Sequence, residues 1–158
     1  MPAWITVYMR QVPKELTPEG IKQGIRVADW WTLGEDFGIS EDTVDDFMRG
    51  LRWGDNPLRF GQEGQRPVQV HLWTDSEHLQ EEIAELELGA LPVSIRSHLG
   101  EVRAIVALEI GFSQLKSMVE VVAFEIAYWL AETYEGLIHA PDESWYDHDV
   151  HRWDPIEE

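Results

Sequence analysis

The longest uninterrupted helical pattern in this chain runs from Ser113 to Glu135, and it contains neither proline nor glycine. A serine opens it and Gly136 follows it, as is typical of helix ends. At 100° per residue its apolar side chains form one broad face. That face consists of Leu115, Met118, Val119, Val122, Ile126, Trp129 and Leu130. Because a face this apolar is unfavourable in water, the rest of the chain must supply a surface that covers it.

The opposite side of this helix is mixed in character. Lys116, Glu120 and Glu132 are suited to solvent, but Phe124 and Tyr128 lie on the same side. Two interpretations are open: the N-terminal helices cover these two rings, or the rings mark a contact surface for another chain.

Short runs of alternating bulky side chains predict strands along the rest of the chain. They lie at residues 3–9, 58–60, 68–72, 93–97, 102–110 and 137–139. The last two runs before the long helix form the clearest predicted hairpin, with Leu99 and Gly100 as its turn.

Capped helices are predicted between these strands. One runs from Pro18 to about Trp31, one follows Ser40 and one starts at Ser76, because Ser, Thr and Pro favour helix starts. The resulting order, β-α-α-β-β-α-β-β-α-β, predicts an α+β fold with a mainly antiparallel sheet of about five to six strands. We expect helices packed on one face of this sheet, in a ferredoxin-like arrangement with insertions.

The composition of the chain excludes several classes of protein. Its 158 residues are most simply a single domain, 1–158, in which residues 140–158 form an acidic C-terminal tail of lower expected order. With no cysteine, the chain has no disulfide, no thiolate metal site and no cysteine nucleophile. The first ten residues lack the pattern of a secretory signal, and no run approaches the ~18 apolar residues of a membrane span. These features predict a cytoplasmic protein.

The net charge of −18 limits the possible partners. Nucleic acids and anionic membranes should be repelled, whereas a basic protein should be attracted and steered in quickly. A role in solubility alone is the alternative interpretation. The charge is uneven, since residues 35–56 carry seven acids against two arginines and residues 136–158 carry seven acids against one arginine.

Tryptophans are interleaved with these acidic segments. Trp is favoured at protein interfaces because it buries a large area with little loss of entropy. We therefore predict a partner-binding surface made of Trp30, Trp31, Glu35, Asp36, Asp45, Asp46, Trp53, Asp142, Trp145, Asp147 and Asp149.

The predicted hairpin suggests a second kind of site. Its register places Arg96 opposite Arg103, and two facing arginines repel unless an anion lies nearby. That anion could be a carboxylate of the chain itself or a bound ligand. With His98 and Glu109 on the same sheet face, the arrangement allows an alternative function as a small enzyme or anionic-ligand-binding domain.

Motifs for catalysis and for cofactors are absent from the sequence. It has no phosphate-binding loop, no G-x-S-x-G and no H-E-x-x-H. Glu109 and Glu125 are the best candidates for acid–base chemistry, but we interpret them as partners of Arg96, Arg103 or Lys116. Imidazoles and carboxylates in the tail match no defined metal spacing, so we predict no metal and no cofactor. The tail residues concerned are His139, His148, His151, Asp142, Asp147 and Asp149.

Two segments carry a resemblance to other proteins. The stretch GFSQLKSMVEVVAFEIAYWLAETYEGLIHAPDESWYD resembles a type of uncharacterised small acidic bacterial protein, with a helix ending in WLAE, a strand reading GLI, an acidic turn and a Trp. LTPEGIKQGIRVADWWTLGEDFGI is similar to the same group, and together the segments cover about two fifths of the chain. This resemblance implies no active-site residues.

The size, the acidity and the lack of cysteine also resemble the immunity proteins of bacterial polymorphic-toxin systems. This resemblance implies a non-catalytic protein that neutralises a basic partner such as a toxin domain by covering it with an acidic surface. We expect a monomer or a homodimer. A phage-encoded inhibitor that mimics DNA is a further alternative.

Overall fold

The structure is a computed structural model that describes residues 2–14, 16–148 and 155–156. Its strands form one sheet in which every pair of neighbours is antiparallel. Within the described residues the strands are β1 (Pro2–Met9), β2 (Arg52–Asp55), β3 (Leu58–Gly61), β4 (Val68–Trp73), β5 (Ala104–Gly111), β6 (Gly136–His139) and β7 (Trp145–Asp147). They lie in the order β2-β3-β4-β5-β1-β6-β7.

Six α-helices accompany this sheet in the described part of the chain. They are α1 (Pro18–Ile25), α2 (Trp30–Asp36), α3 (Glu41–Arg49), α4 (Ser76–Ala84), α5 (Val93–Leu99) and α6 (Met118–Tyr134). Single 3₁₀ turns lie at Leu88–Ala90 and Phe112–Gln114. None of the helices described has the length and apolarity that crossing a membrane requires.

The four central strands, β4-β5-β1-β6, confirm the ferredoxin-like arrangement. Helices connect β1 to β4 and β5 to β6, and in each case one other strand lies between the connected pair. This is the β-α-β-β-α-β pattern, with β2, β3, α4, α5 and β7 as additions to it. The predicted α+β class is confirmed, with seven strands instead of five or six.

The first face of the sheet packs against α6. Alternate residues of the central strands point to this face, among them Val7 and Val106, and both are fully buried. Phe124 and Tyr128 are buried too, with exposures of 5% and 3%, so nearly the whole circumference of α6 is covered. A helix that is apolar all round is expected to lie inside the protein. Tyr146 of β7 makes an edge contact with Phe124, at 6.2 Å between ring centroids.

The second face of the sheet carries helices as well, which the sequence did not predict. Tyr8, Ile105 and Leu137 point to this side and form a separate apolar cluster. Leu79 of α4 and Ile95 of α5 pack into the same cluster. Helices therefore lie on both faces, although α4 and α5 leave part of the second face open.

The predicted strand at residues 93–97 is wrong, because these residues form α5. Val93 and Ile95 suggested alternation, but the buried residues Ile95, His98 and Leu99 have the spacing of a helix. Pro92 occupies the N-cap position. The proposed pairing of Arg96 with Arg103 across a hairpin is therefore wrong as well.

Several element boundaries differ from the prediction. The long helix starts at Met118, because Lys116 has a left-handed φ of 61° and Ser117 provides the N-cap. Its C-cap is Glu135, with a φ of 53°, and not a glycine. The helix predicted from Pro18 to about Trp31 is divided into α1 and the start of α2, and strands β2 and β7 were not predicted.

Candidate binding surfaces

Helices α2 and α3 form a two-helix unit rich in exposed carboxylates. Asp29 caps α2 by accepting a hydrogen bond from the Thr32 amide, and Ser40 caps α3 by accepting one from the Thr43 amide. Between the helices the chain turns at Gly38, whose φ of 73° favours glycine. Val44 is buried against α6, so the polar residues of α3 are left on the outside.

We call the carboxylates of this unit the α2–α3 acidic surface. It comprises Asp29, Glu35, Asp36, Glu41, Asp42, Asp45 and Asp46, of which Asp45 is half-buried and the others are exposed. Across residues 29–50 the only basic side chain is that of Arg49, which forms a 3.0 Å ion pair with Asp46.

Trp31 is the exposed aromatic residue of this surface. Half of it, 50%, remains accessible, and its indole Nε1 donates a 2.7 Å hydrogen bond to Asp45 Oδ1. The two other tryptophans predicted nearby have structural positions. Trp30 packs against the apolar core, and the ring of Trp53 on β2 lies 5.3 Å from that of Phe60.

The C-terminal part of the predicted surface lies around β7. Trp145 is buried, and its ring stacks on His139 at 4.3 Å between centroids, so it holds the hairpin of β6 and β7 together. Asp142 is exposed in the turn of this hairpin, and Asp147 is half-buried at the end of β7. Asp149 lies outside the described residues.

The structure separates the residues of the predicted anion site. Arg96 and His98 lie on α5, whereas Arg103 precedes β5 and Glu109 lies within it. His98 is buried, and its Nε2 donates a 2.6 Å hydrogen bond to the carbonyl oxygen of Tyr8, so it has a structural position.

Glu109 is paired with residues other than the predicted partners. Its carboxylate lies 2.7 Å from the guanidinium of Arg66 and 3.4 Å from His71 Nε2. Interpreting Glu109 as a partner of Arg96, Arg103 or Lys116 was therefore wrong.

A groove that was not predicted from the sequence lies where α4 and α5 leave the second sheet face open. It has a volume of about 960 Å³, which is within the usual range for sites that bind small molecules. We call it the sheet groove. Its floor consists of Trp4, Thr6, Tyr8, Trp73, Ala107 and His139, from four neighbouring strands.

Carboxylates line two sides of the sheet groove. Glu82 and Glu85 come from α4 and its C-cap, while Asp142 and Glu143 come from the turn between β6 and β7. A further acid, Glu120 of α6, lies at the end where Lys116 is also found. This end includes Phe37, the C-cap residue of α2, so the groove adjoins the α2–α3 acidic surface.

The pKa values in the groove reflect burial first and the nearby negative charges second. Burial raises the pKa of Tyr8 well above its ordinary value, and the charges of Glu82, Glu85 and Glu143 raise it further. Burial, followed by the charge of Glu85, also raises the pKa of Glu82. Burial lowers the pKa of His139, although the carboxylate of Glu143, 3.0 Å away, opposes this. Three carboxylates from two different elements therefore act on one tyrosine hydroxyl.

Two sequence signals could have identified this groove. Trp4, Thr6 and Tyr8 alternate with the core residues of β1, so they had to occupy the other face of the strand. Glu82 and Glu85 are three residues apart, a spacing that places both on one side of α4. The incorrect strand at 93–97 occupied this region of the predicted sheet and concealed the relationship.

The tail residues considered as metal ligands form separate pairs. His139 contacts Glu143, and His148 lies 3.5 Å from Asp147, while His151 is outside the described residues. Among the described residues no three His, Asp or Glu side chains converge in a way that could hold a metal ion.

Comparison with models of protein families, with curated proteins and with solved structures finds no match for this chain. Its function is therefore inferred from its own surfaces.

Proposed function

We propose that this protein is a non-catalytic acidic binding protein of the cytoplasm, an immunity-type inhibitor that binds and neutralises a basic partner such as a toxin domain. The observation that carries the proposal is the α2–α3 acidic surface. There a half-exposed tryptophan, Trp31, lies among seven carboxylates that have Arg49 as their only basic neighbour in the segment.

Charge and aromatic area contribute differently to such binding. The carboxylates attract a basic surface over distances of about 10 Å at moderate salt, and this raises the association rate. The indole of Trp31 supplies buried area once the surfaces meet, and this slows dissociation. The hydrogen bond from Trp31 to Asp45 fixes the ring in place, so little side-chain entropy is lost on binding.

A role in solubility alone would require no such arrangement. Solubility depends on net charge and not on where the charges lie. The acids of α2 and α3 instead surround an exposed ring on two helices held by caps and by a cross-helix hydrogen bond. The alternative function as a small enzyme required Arg96 and His98 to lie on the sheet face beside Glu109. Both residues lie on α5 instead.

The test uses three forms of the full chain. The first is the wild type, and the second carries Glu41→Lys, Asp42→Lys and Asp46→Lys in the α2–α3 acidic surface. The third is a matched control with Glu63→Lys, Glu77→Lys and Glu87→Lys, three exposed acids elsewhere that give the same change in net charge. Each immobilised form is exposed to a host extract in about 0.1 M salt. A retained protein is identified, purified and titrated by calorimetry.

We expect a basic protein that binds the wild type and the control with similar affinity. Reversal of the α2–α3 acids should weaken binding by about tenfold or more, mainly through the association rate. Retention of no protein, or equal weakening in the two variants, would contradict the proposal. A partner that DNA displaces from the same surface would favour the DNA-mimic alternative.

A further inference from the structure

The sheet groove combines an aromatic floor with acidic sides. Trp4 is 38% exposed, and from its ring a row of rings continues through His71 and Trp73 to His78, with centroids about 6 Å apart. Trp73 stacks on both His71 and His78, at 8° and 11°, so the more exposed indole face in the groove is that of Trp4. The faces of indole and phenol rings attract organic cations.

The carboxylates of Glu82 and Glu85 have no ion-pair partner among the described residues. Glu82 is partly buried, and neither side chain forms a hydrogen bond there; burial and the charge of Glu85 raise the pKa of Glu82 more than the charge of His78 lowers it. The two carboxylates repel each other, and only a ligand that brings positive charge relieves this repulsion. Glu143 is paired with His139, but burial favours the neutral form of that imidazole.

Negative charge is present at more than one position along the groove. Among the described residues, five carboxylates line it against one permanent cation, Lys116. The acids lie on α4, on the turn after β6 and on α6, while the floor between them is aromatic or aliphatic. The floor extends from β4 to β6, three strand spacings, or about 14 Å. A matching ligand has an apolar body with positive charges separated along it.

We propose that the sheet groove is a binding site for a linear polyamine, an alkyl chain that carries two or more ammonium groups. The ammonium groups contact Glu82, Glu85 and Glu143, and the methylene chain lies over Trp4. This proposal concerns the sheet groove, and it does not rest on the function proposed for the α2–α3 acidic surface.

Other ligand classes fit the groove less well. Nucleotides and other anions are repelled by five carboxylates. A divalent metal ion requires several oxygen ligands around one point, and no such group of side chains is present among the described residues. An uncharged apolar ligand would leave Glu82 and Glu85 partly buried beside it without compensation.

The test is a titration of the full chain with spermidine in about 0.15 M salt, in which binding is measured by calorimetry and by tryptophan fluorescence. The comparison ligands are an alkanediol of similar length and Mg²⁺. The test variant is Glu82→Gln with Glu85→Gln, which keeps side-chain size and removes two charges. The matched control is Glu63→Gln with Glu77→Gln, which removes two exposed charges outside the groove.

We expect saturable binding of one spermidine per chain, with quenching of tryptophan fluorescence. The groove variant should bind at least about tenfold more weakly, which corresponds to about 1.4 kcal/mol, and the control should bind like the wild type. Trp4→Leu should weaken binding about threefold or more through loss of the ring face. Circular dichroism of each variant establishes that the fold is kept.

Five outcomes would overturn the proposal. Four are the absence of saturable spermidine binding, equal weakening in the control and groove variants, equal affinity for the alkanediol, and full displacement of spermidine by Mg²⁺ at equal total cationic charge; the fifth is unchanged binding in both Trp4→Leu and the groove variant. Equal weakening would mean that spermidine responds only to net charge. Unchanged binding in both Trp4→Leu and the groove variant would place the ligand elsewhere.

Discussion

The indole Nε1 of Trp31 and the Oδ1 of Asp45 are 2.7 Å apart, and this hydrogen bond joins α2 to α3. It orients the one strongly exposed tryptophan of the α2–α3 acidic surface. It also holds a carboxylate in the middle of that surface at a defined position. The contact thus links the stability of the two-helix unit to the arrangement of the groups proposed to bind a partner.

Replacing Trp31 with Phe should loosen the two-helix unit without unfolding the protein. Phenylalanine keeps most of the ring area but removes the N–H donor, so Asp45 loses its partner and is solvated instead. We expect a loss of about 0.5–1 kcal/mol in the free energy of unfolding, measured with urea. Asp46→Asn is the control, since its ion pair with Arg49 is exposed and contributes only a few tenths of a kcal/mol. An equal effect of the two substitutions would show that the cross-helix bond has no special role.

Gly24→Ala should destabilise the packing of α1 against α6. A Cβ at Gly24 would overlap the indole ring of Trp129, so the ring or the helix would have to move. Alanine is the better helix former by about 1 kcal/mol, but overpacking costs about 1–3 kcal/mol. We therefore expect a net loss of stability on thermal unfolding.

Gly89→Ala provides the matched control for this substitution. A Cβ at Gly89 has no atom within 4 Å, and its backbone φ is not in the left-handed region. Its stability should be unchanged or slightly raised. Stabilisation by Gly24→Ala would mean that Trp129 moves aside easily and that the close approach of α1 is not required.

The fold could be predicted from the sequence to a considerable extent, because its central elements have regular patterns. The apolar content of residues 118–131 required a buried helix, and the alternation in β1 required a strand. The failure at residues 93–99 has a clear physical cause. These seven residues contain one pair at strand spacing, Val93 and Ile95, and one triplet at helix spacing, Ile95, His98 and Leu99. Only packing against Ile105 and Tyr8 decides between a strand and a helix.

The candidate surfaces were less predictable. Local sequence placed the acids and Trp31 on α2 and α3, since caps and charge clusters are local features. The sheet groove depends instead on strand order, which brings Trp73 of β4 and His139 of β6 to opposite sides of β5 and β1. Residues 66 positions apart in the chain have no shared pattern that reveals such an arrangement.

Trp145→Ala should strongly destabilise the whole domain, although this residue lies in a segment with the composition of an acidic tail. Its side chain is 5% exposed and contacts the rings of His139 and Tyr8. Loss of a buried tryptophan costs about 3–5 kcal/mol. Val27→Ala is the control, with 85% exposure and little expected effect. A change of less than about 1 kcal/mol for Trp145→Ala would mean that β7 detaches without affecting the core.

The last prediction concerns pH and the buried imidazole of His98. Burial lowers its pKa below the ordinary value of 6.5, and the hydrogen bond to the Tyr8 carbonyl only partly opposes this. As the pH falls through about 6.5, the unfolded chain therefore gains a proton at His98 that the folded protein resists. Stability from this group is complete above that pH and decreases as the pH falls towards the pKa of the folded state. His139, whose pKa burial also lowers, acts in the same direction.

His98→Gln should consequently reduce the loss of stability between about pH 7.5 and 5.5, because glutamine keeps a donor but does not titrate there. His78→Gln is a control of opposite sign. The hydrogen bond and charge of Asp75 raise the pKa of His78, so protonation of His78 stabilises the folded state as the pH falls. Its removal should make the loss steeper. Urea unfolding at each pH measures both slopes, and parallel profiles for the wild type and His98→Gln would show that His98 is not a source of the pH dependence.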